Sequence, residues 1–348
     1  MLRQYATNSL ILSICFCFLF LGGCAKNRKL IEEVNGLLDE KKYEQALRTL
    51  QTAIRENPKD ATLLRQRVLL FLKSEQVNYS IAAFEKLQEH KPSDPILLKA
   101  LENEDPVIRV TAAKALGLLH QSALEEASVD ALIKAAKDSD KSVRQAVVLA
   151  LGDLKNTRSI PILIESLKDE DWFVRAEAAQ ALGKVGDTQA ATELFFLLKD
   201  EDVYVRKNAR KALQNLATVE NKEAYKKALD SEDEEVRLMA AISLANTGDS
   251  SSLPILTKQL DDSLSSDPID IIRALVKLRD RESLPSLRSA IQSENTEIKA
   301  YAILALGEFK DKASVNDIKE ILKNSKTPRE VKMACLMSLK RMNQPDGK

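Results

Sequence analysis

From Asn27 onward, apolar residues recur at i, i+3, i+4 and i+7 between charged positions, the spacing of one buried face of an α-helix. Between Asn27 and Pro92 the pattern repeats at a period of 34 residues, matching Leu30 with Leu64, Val34 with Val68, Leu37 with Phe71, Leu50 with Phe84, Ala53 with Leu87 and Pro58 with Pro92. Each copy predicts a helix-turn-helix that ends at a proline, which cannot extend a helix. A second register follows, marked by Arg109, Arg144, Arg175, Arg206, Arg237, Pro268, Lys299 and Lys332, and its four steps from Arg144 to Pro268 are each 31 residues. Fourteen residues before four of these markers a proline opens a first helix (Pro95, Pro161, Pro254, Pro285), and eight residues after four of them stands a glycine (Gly117, Gly152, Gly183, Gly307). No single hairpin buries both of its faces, so stacking of neighbours is obligatory.

The repeated residues have mechanical explanations. Asp105, Asp140, Asp171, Asp202 and Asp233 fall where each second helix begins, and Pro106 after Asp105 completes an N-cap and N1 arrangement. Arg109, Arg144, Arg175, Arg206 and Arg237, four residues later, are spaced to meet a neighbouring repeat's carboxylate and form a ladder of charge-assisted hydrogen bonds. A catalytic role would need one special Asp/Arg pair rather than five equal ones. Ala112 and Ala113, Ala178 and Ala179, and Ala240 and Ala241 allow close helix approach, while Leu116, Leu151, Leu182, Leu213, Leu244 and Leu306 fill the core.

Two resemblances follow from these residues. Tyr43, Ala46, Leu50, Ala53 and Pro58 match the second-helix pattern of the tetratricopeptide repeat, although Ser80 takes the small position in the second copy and the first-helix Trp and Gly are absent. The later register, with Asp171-Trp172-Phe173-Val174-Arg175 and Gln180-Ala181-Leu182-Gly183 as its clearest copy, resembles HEAT repeats of the short kind found in bilin lyases. The fold implied is all-α, a right-handed α-solenoid of tetratricopeptide-like hairpins over residues 27–93 followed by about eight HEAT-like repeats over 94–342 and a polar tail at 343–348. Such repeats serve many unrelated functions.

The chain opens differently. Arg3 precedes an apolar run from Ser9 to Leu21, shorter than the ~20 residues of a spanning helix, and Leu21-Gly22-Gly23-Cys24 closes it. That tetrapeptide resembles a bacterial lipobox. The resemblance implies removal of residues 1–23, lipid on the Cys24 thiol and acylation of the new amino terminus, leaving residues 24–26 as a lipidated start; several acyl chains hold a protein stably on a membrane. Ala25 after the cysteine resembles the default for outer-membrane sorting. Cys15 and Cys17 leave with the signal, so Cys335 alone remains as a free thiol, at a position held mostly by Ala and therefore expected in the core.

Composition removes several functions. The 52 Lys and Arg balance 52 Asp and Glu, without the positive excess that supports phosphate-backbone binding, so no nucleic-acid partner is expected. With only His90 and His120, in different repeats, no His-rich metal site assembles; no glycine-rich phosphate loop or nucleophile elbow is present. The paired His-Glu ligands of HEAT-repeat di-iron hydroxylases are missing. No cofactor and no metal are expected, and the enzymatic analogy that the repeat suggests, bilin-lyase activity, suits an exported lipoprotein poorly.

Binding is the remaining class. Positions one and five residues after each marker are expected to face away from the core and line the inner surface of the solenoid. Early copies offer Val110 and Lys114, Gln145 and Leu149, Ala176 and Gln180, Lys207 and Lys211; later ones offer Leu238 and Ile242, Ala300 and Leu304, Met333 and Met337, with Met239 and Tyr301 beside them. Either an apolar C-terminal groove takes a protein segment, or loose helices or a self-contact cover these side chains. The polar run from Asp261 to Asp267, with Pro268 in place of Arg, is either a local specialisation or a degenerate loop. Trp172, Phe173 and Tyr204 open adjacent second helices, as interface anchors or as packing over the inter-helix turn. The function expected is a non-enzymatic, lipid-anchored scaffold or adaptor of the bacterial envelope, in the outer membrane, holding an unidentified protein partner; a surface lipoprotein binding host or environmental molecules shares the same architecture. Membrane face and oligomeric state stay open.

Overall fold

The computed structural model describes residues 27–119, 125–186, 190–217, 222–261 and 268–344. The expected export segment with Cys24, His120 and the polar run after Asp261 lie outside them. Among the described residues there are twenty α-helices and no strand, and the architecture is an all-α solenoid of stacked helical hairpins. The chain divides into two compact units, residues 1–181 and 182–348.

In the first unit, α1 (Arg28–Asp39) pairs with α2 (Tyr43–Glu56) and α3 (Ala61–Lys73) with α4 (Val77–Gln88), which are the two hairpins of the 34-residue period. Lys73 donates to Asp39 at 2.7 Å, tying equivalent ends of the two copies. Short α5 (Ile96–Ala100) and α6 (Pro106–Leu118) start the second register, followed by α7 (Glu125–Ala135), α8 (Lys141–Leu154), α9 (Ile160–Ser166) and α10 (Trp172–Val185), within which the division between units falls. Second helices α6 and α8 lie directly against each other. The second unit continues with α11 (Ala191–Phe196), α12 (Val203–Leu216), α13 (Lys222–Leu229), α14 (Glu234–Asn246), α15 (Leu253–Asp261), α16 (Pro268–Leu278), α17 (Leu284–Ala290), α18 (Thr296–Glu308), α19 (Val315–Lys323) and α20 (Arg329–Met342). Here α14, α16, α18 and α20 pack in succession.

The glycines explain how closely the second helices approach. A Cβ on Gly117 would stand 2.7 Å from Ala150, one on Gly152 2.7 Å from Ala181, one on Gly183 2.9 Å from Ala212 and one on Gly307 2.8 Å from the Ser338 Cα. Each partner sits six residues past its own marker, so the contact is a lock between equivalent positions: no side chain on one helix, a methyl or hydroxymethyl on the next. The predicted core leucines, from Leu116 to Leu306, are at most 1% exposed, and Cys335 is fully buried, where burial pushes its thiol pKa up.

A feature the periodicity did not announce precedes the first helices. Asn156, Asp249, Asp280 and Asp311 each begin a short 3₁₀ turn that ends in a buried serine. Ser159, Ser252, Ser283 and Ser314 donate back to the carbonyl three residues earlier at 2.6–3.0 Å, which satisfies the hydroxyl without a second partner.

Candidate functional site

The Asp/Arg pairs are structural in geometry. Asp105, Asp140, Asp171, Asp202 and Asp233 accept from backbone N–H groups in the first turns of α6, α8, α10, α12 and α14 at 2.7–3.3 Å, as caps. Asp171 is held below the usual carboxylate range: burial opposes this, but hydrogen bonds from Gln145, Lys141 and the Val174 N–H outweigh it. The ladder exists in the first unit, where Arg109 forks onto Asp138 at 2.8 and 2.9 Å and Arg144 onto Asp169 at 2.8 and 3.0 Å. Asp169 raises the Arg144 pKa in return. A second role was not visible in the spacing. Arg109, Arg144, Arg175, Arg206 and Arg237 all turn back to donate to the two carbonyls five and six residues before them, closing the inter-helix turn of their own repeat.

The expected C-terminal groove requires correction at three positions. Leu238, Met239 and Ile242 are only 3–4% exposed and belong to the core of the second unit. The reason is that α14 is enclosed by α12, α13, α15 and α16, and after its charged first turn residues 238–245 are buried all round and apolar but for Ser243, the composition of a buried helix rather than of a surface one. Tyr301 and Leu304 on α18 are partly buried, Tyr301 being occupied by Arg273, whose guanidinium donates to its hydroxyl at 2.9 Å and lies 5.0 Å from its ring centre.

On α20 the expected positions do reach solvent. Met333 and Met337 are 51% and 46% exposed, and Leu336 between them is 52% exposed. The spacing did not mark Leu336 because its register position, four past the marker, is buried in six of the other seven copies (Ala113, Val148, Ala179, Ala241, Ile272 and Ile303), Arg210 being the exception. α20 packs on α18 and α19 and leaves Leu336 open.

Trp172 and Phe173 form an edge-to-face pair with ring centres 5.5 Å apart, each about 40% exposed, so they pack on one another while retaining an accessible face. Tyr204, in the second unit, is 60% exposed, beside Val203 at 58%. Among the described residues no cluster of three or more His, Cys, Asp or Glu is arranged to hold a metal ion, and no helix is long and apolar enough to cross a membrane.

Comparison with known proteins agrees with the repeat geometry. The family model of HEAT repeats matches residues 95–183, 129–214, 192–270 and 268–340. Similar solved structures include an engineered protein (21% identity over 91% of this chain and 100% of that one, TM-score 0.44). The CpcE–CpcF complex of phycocyanin lyase from Nostoc sp. PCC7120 is 21% identical over 71% of this chain and 92% of that one, with a TM-score of 0.36. Human deoxyhypusine hydroxylase is 19% identical over 78% and 98%, with a TM-score of 0.32. No curated protein matches the sequence.

Proposed function

Because the chain belongs to the HEAT-repeat family, we propose that it is a non-enzymatic scaffold or adaptor, anchored by lipid at Cys24 in the bacterial cell envelope, that holds a protein partner against α20. The observation that carries the binding reading is the exposed trio Met333, Leu336 and Met337 on α20. Three large apolar side chains at i, i+3 and i+4 form one contiguous exposed apolar strip on α20, the kind of surface that marks an interaction site. Methionines suit such a surface, since their unbranched side chains adapt to a partner's shape. Envelope anchoring rests on Leu21-Gly22-Gly23-Cys24 and the short apolar run before it.

The test is site-specific photocrosslinking in cells from position 337, compared with position 207 on α12. The expected result is one protein crosslinked from 337, none from 207, and its loss when Met333→Asp is combined with Leu336→Asp. Crosslinks that are equal from both positions, or that survive the double substitution, overturn the site. Metabolic labelling with a palmitate analogue tests the anchor: label that persists in Cys24→Ala overturns it.

A further inference from the structure

The second unit contains a cleft of about 700 Å³ lined by Arg273, Val276, Lys277, Arg279, Arg281, Glu308 and Phe309. Four cations meet a single carboxylate there, and that carboxylate is already engaged, since Glu308 pairs with Arg341. Arg273 is fixed by the Tyr301 hydroxyl and by Asp270 at 3.2 Å. Arg281 reaches across to the Phe309 carbonyl at 3.4 Å, a marginal contact that leaves most of its donors unused. Lys277 and Arg279 are exposed and have no side-chain acceptor among the described residues.

The bland explanation is the helix dipole, which favours cations in the last turn. It accounts for Lys277 near the end of α16 and for Arg279 just beyond it. It does not account for Arg273 in mid-helix or for Arg281 in the following 3₁₀ turn, and it gives no reason for all four to line one concavity.

We propose that this cleft binds an acidic, extended segment of a protein partner, with its carboxylates on Lys277, Arg279 and Arg281 and an apolar side chain against Val276 and Phe309. This rests on the protein-binding reading above and names the chemistry of the partner. Guanidinium forks match carboxylates in a bidentate manner. The cleft is far roomier than a single phosphate requires, and two of its three non-cationic lining residues, Val276 and Phe309, are apolar, which suits a chain of mixed side chains. A nucleic acid would need the long-range positive field that a balanced charge of 52 against 52 does not supply. A lipid surface would need an exposed apolar flank to enter the acyl region, and Val276 and Phe309 are only partly accessible.

The experiment is fluorescence anisotropy with a short fluorescein-labelled peptide of alternating Glu and Phe, added to the full chain. Binding is expected to weaken about tenfold or more in Lys277→Glu with Arg279→Glu. The same change of net charge in Lys207→Glu with Lys211→Glu, at exposed positions of α12, is expected to leave it within about twofold. Circular dichroism of both variants controls for folding, and Arg281→Gln provides a milder substitution with the same expected direction. Equal loss in the two double variants, or no binding by the unaltered chain at low salt, overturns the proposal. So does displacement by millimolar inorganic phosphate, which marks a small-anion site, or cation-dependent capture by phosphatidylglycerol vesicles, which marks a membrane contact. If the peptide fails while the photocrosslink from position 337 persists, the cleft assignment falls and the protein-binding reading stands.

Discussion

Gly117 and Ala150 face each other so closely that a methyl group on Gly117 would lie 2.7 Å from both the Cα and the Cβ of Ala150. The obstacle is backbone, which cannot swing aside as a flexible side chain would. Gly117→Ala is therefore expected to destabilise the chain by about 1–3 kcal/mol through overpacking, even though alanine is the better helix former. Gly36, inside α1, has nothing within 4 Å of the same added methyl, so Gly36→Ala is expected to stabilise by up to about 1 kcal/mol. Urea denaturation of the two variants checks the opposite signs.

Asp169 serves two neighbours at once. It receives the fork from Arg144 and also accepts from the Asp171 N–H at 2.9 Å, with only about a tenth of its side chain exposed. Removing it leaves a largely buried guanidinium without its carboxylate, so Asp169→Ala is expected to cost roughly 3 kcal/mol. Glu170, the second carboxylate near Arg144, is 88% exposed. Glu170→Ala is expected to change stability by no more than about 0.5 kcal/mol. Chemical denaturation of the pair of variants separates a buried rung from a solvated one.

How far the sequence could be read depended on whether a property repeats. Asp140 and Asp171 cap helices because each cap is a local event, decided by a side chain and the N–H groups two or three residues away. The cap was therefore legible from spacing. The burial of Leu238 is not local: it depends on how many neighbours enclose α14, and the marker register is the same for enclosed α14 as for the open α20. What did carry the signal was composition around the helix, since residues 238–245 of α14 are apolar on all faces but for Ser243. The basic cleft was hidden for a related reason. A net charge of zero over the whole chain says nothing about Arg273, Lys277, Arg279 and Arg281 lining one hollow.

Asp311 makes stability depend on acid. Hydrogen bonds from Arg288 at 2.8 and 2.6 Å hold its carboxyl below the ordinary range, and the Arg288 pKa is raised by the same contact. The unfolded chain binds the proton at about pH 3.9, before the folded one does. The stabilisation is therefore complete above that pH and is lost as pH falls through the lowered folded value. Arg288→Gln is expected to reduce stability at neutral pH and to flatten the decline below about pH 4. Urea midpoints measured across that range check both parts; an unchanged slope in the variant would assign the acid limb to other carboxylates, such as Asp233 or Asp249.

The contrast between Leu238 and Met337 tests whether the two occupy one surface or two environments. Both stand on the face expected to line the inner surface, Leu238 one residue past its marker and Met337 five past its own, yet Leu238 is 4% exposed and Met337 46%. An aspartate at 238 would place an unpaired charge in the core shared with Ile271, Ile272 and Leu275, a burial that typically costs several kcal/mol. Leu238→Asp is expected to abolish the cooperative melt of the second unit or to move it to much lower temperature. Met337→Asp replaces a solvated thioether by a solvated carboxylate on α20 and is expected to alter stability by about 0.5 kcal/mol or less. Circular dichroism melts decide between these outcomes. Equal tolerance of both substitutions would mean that α14 is open and that the apolar surface extends from α20 to α14; equal damage would mean that α20 is covered as α14 is, and the trio of Met333, Leu336 and Met337 would cease to be available to a partner.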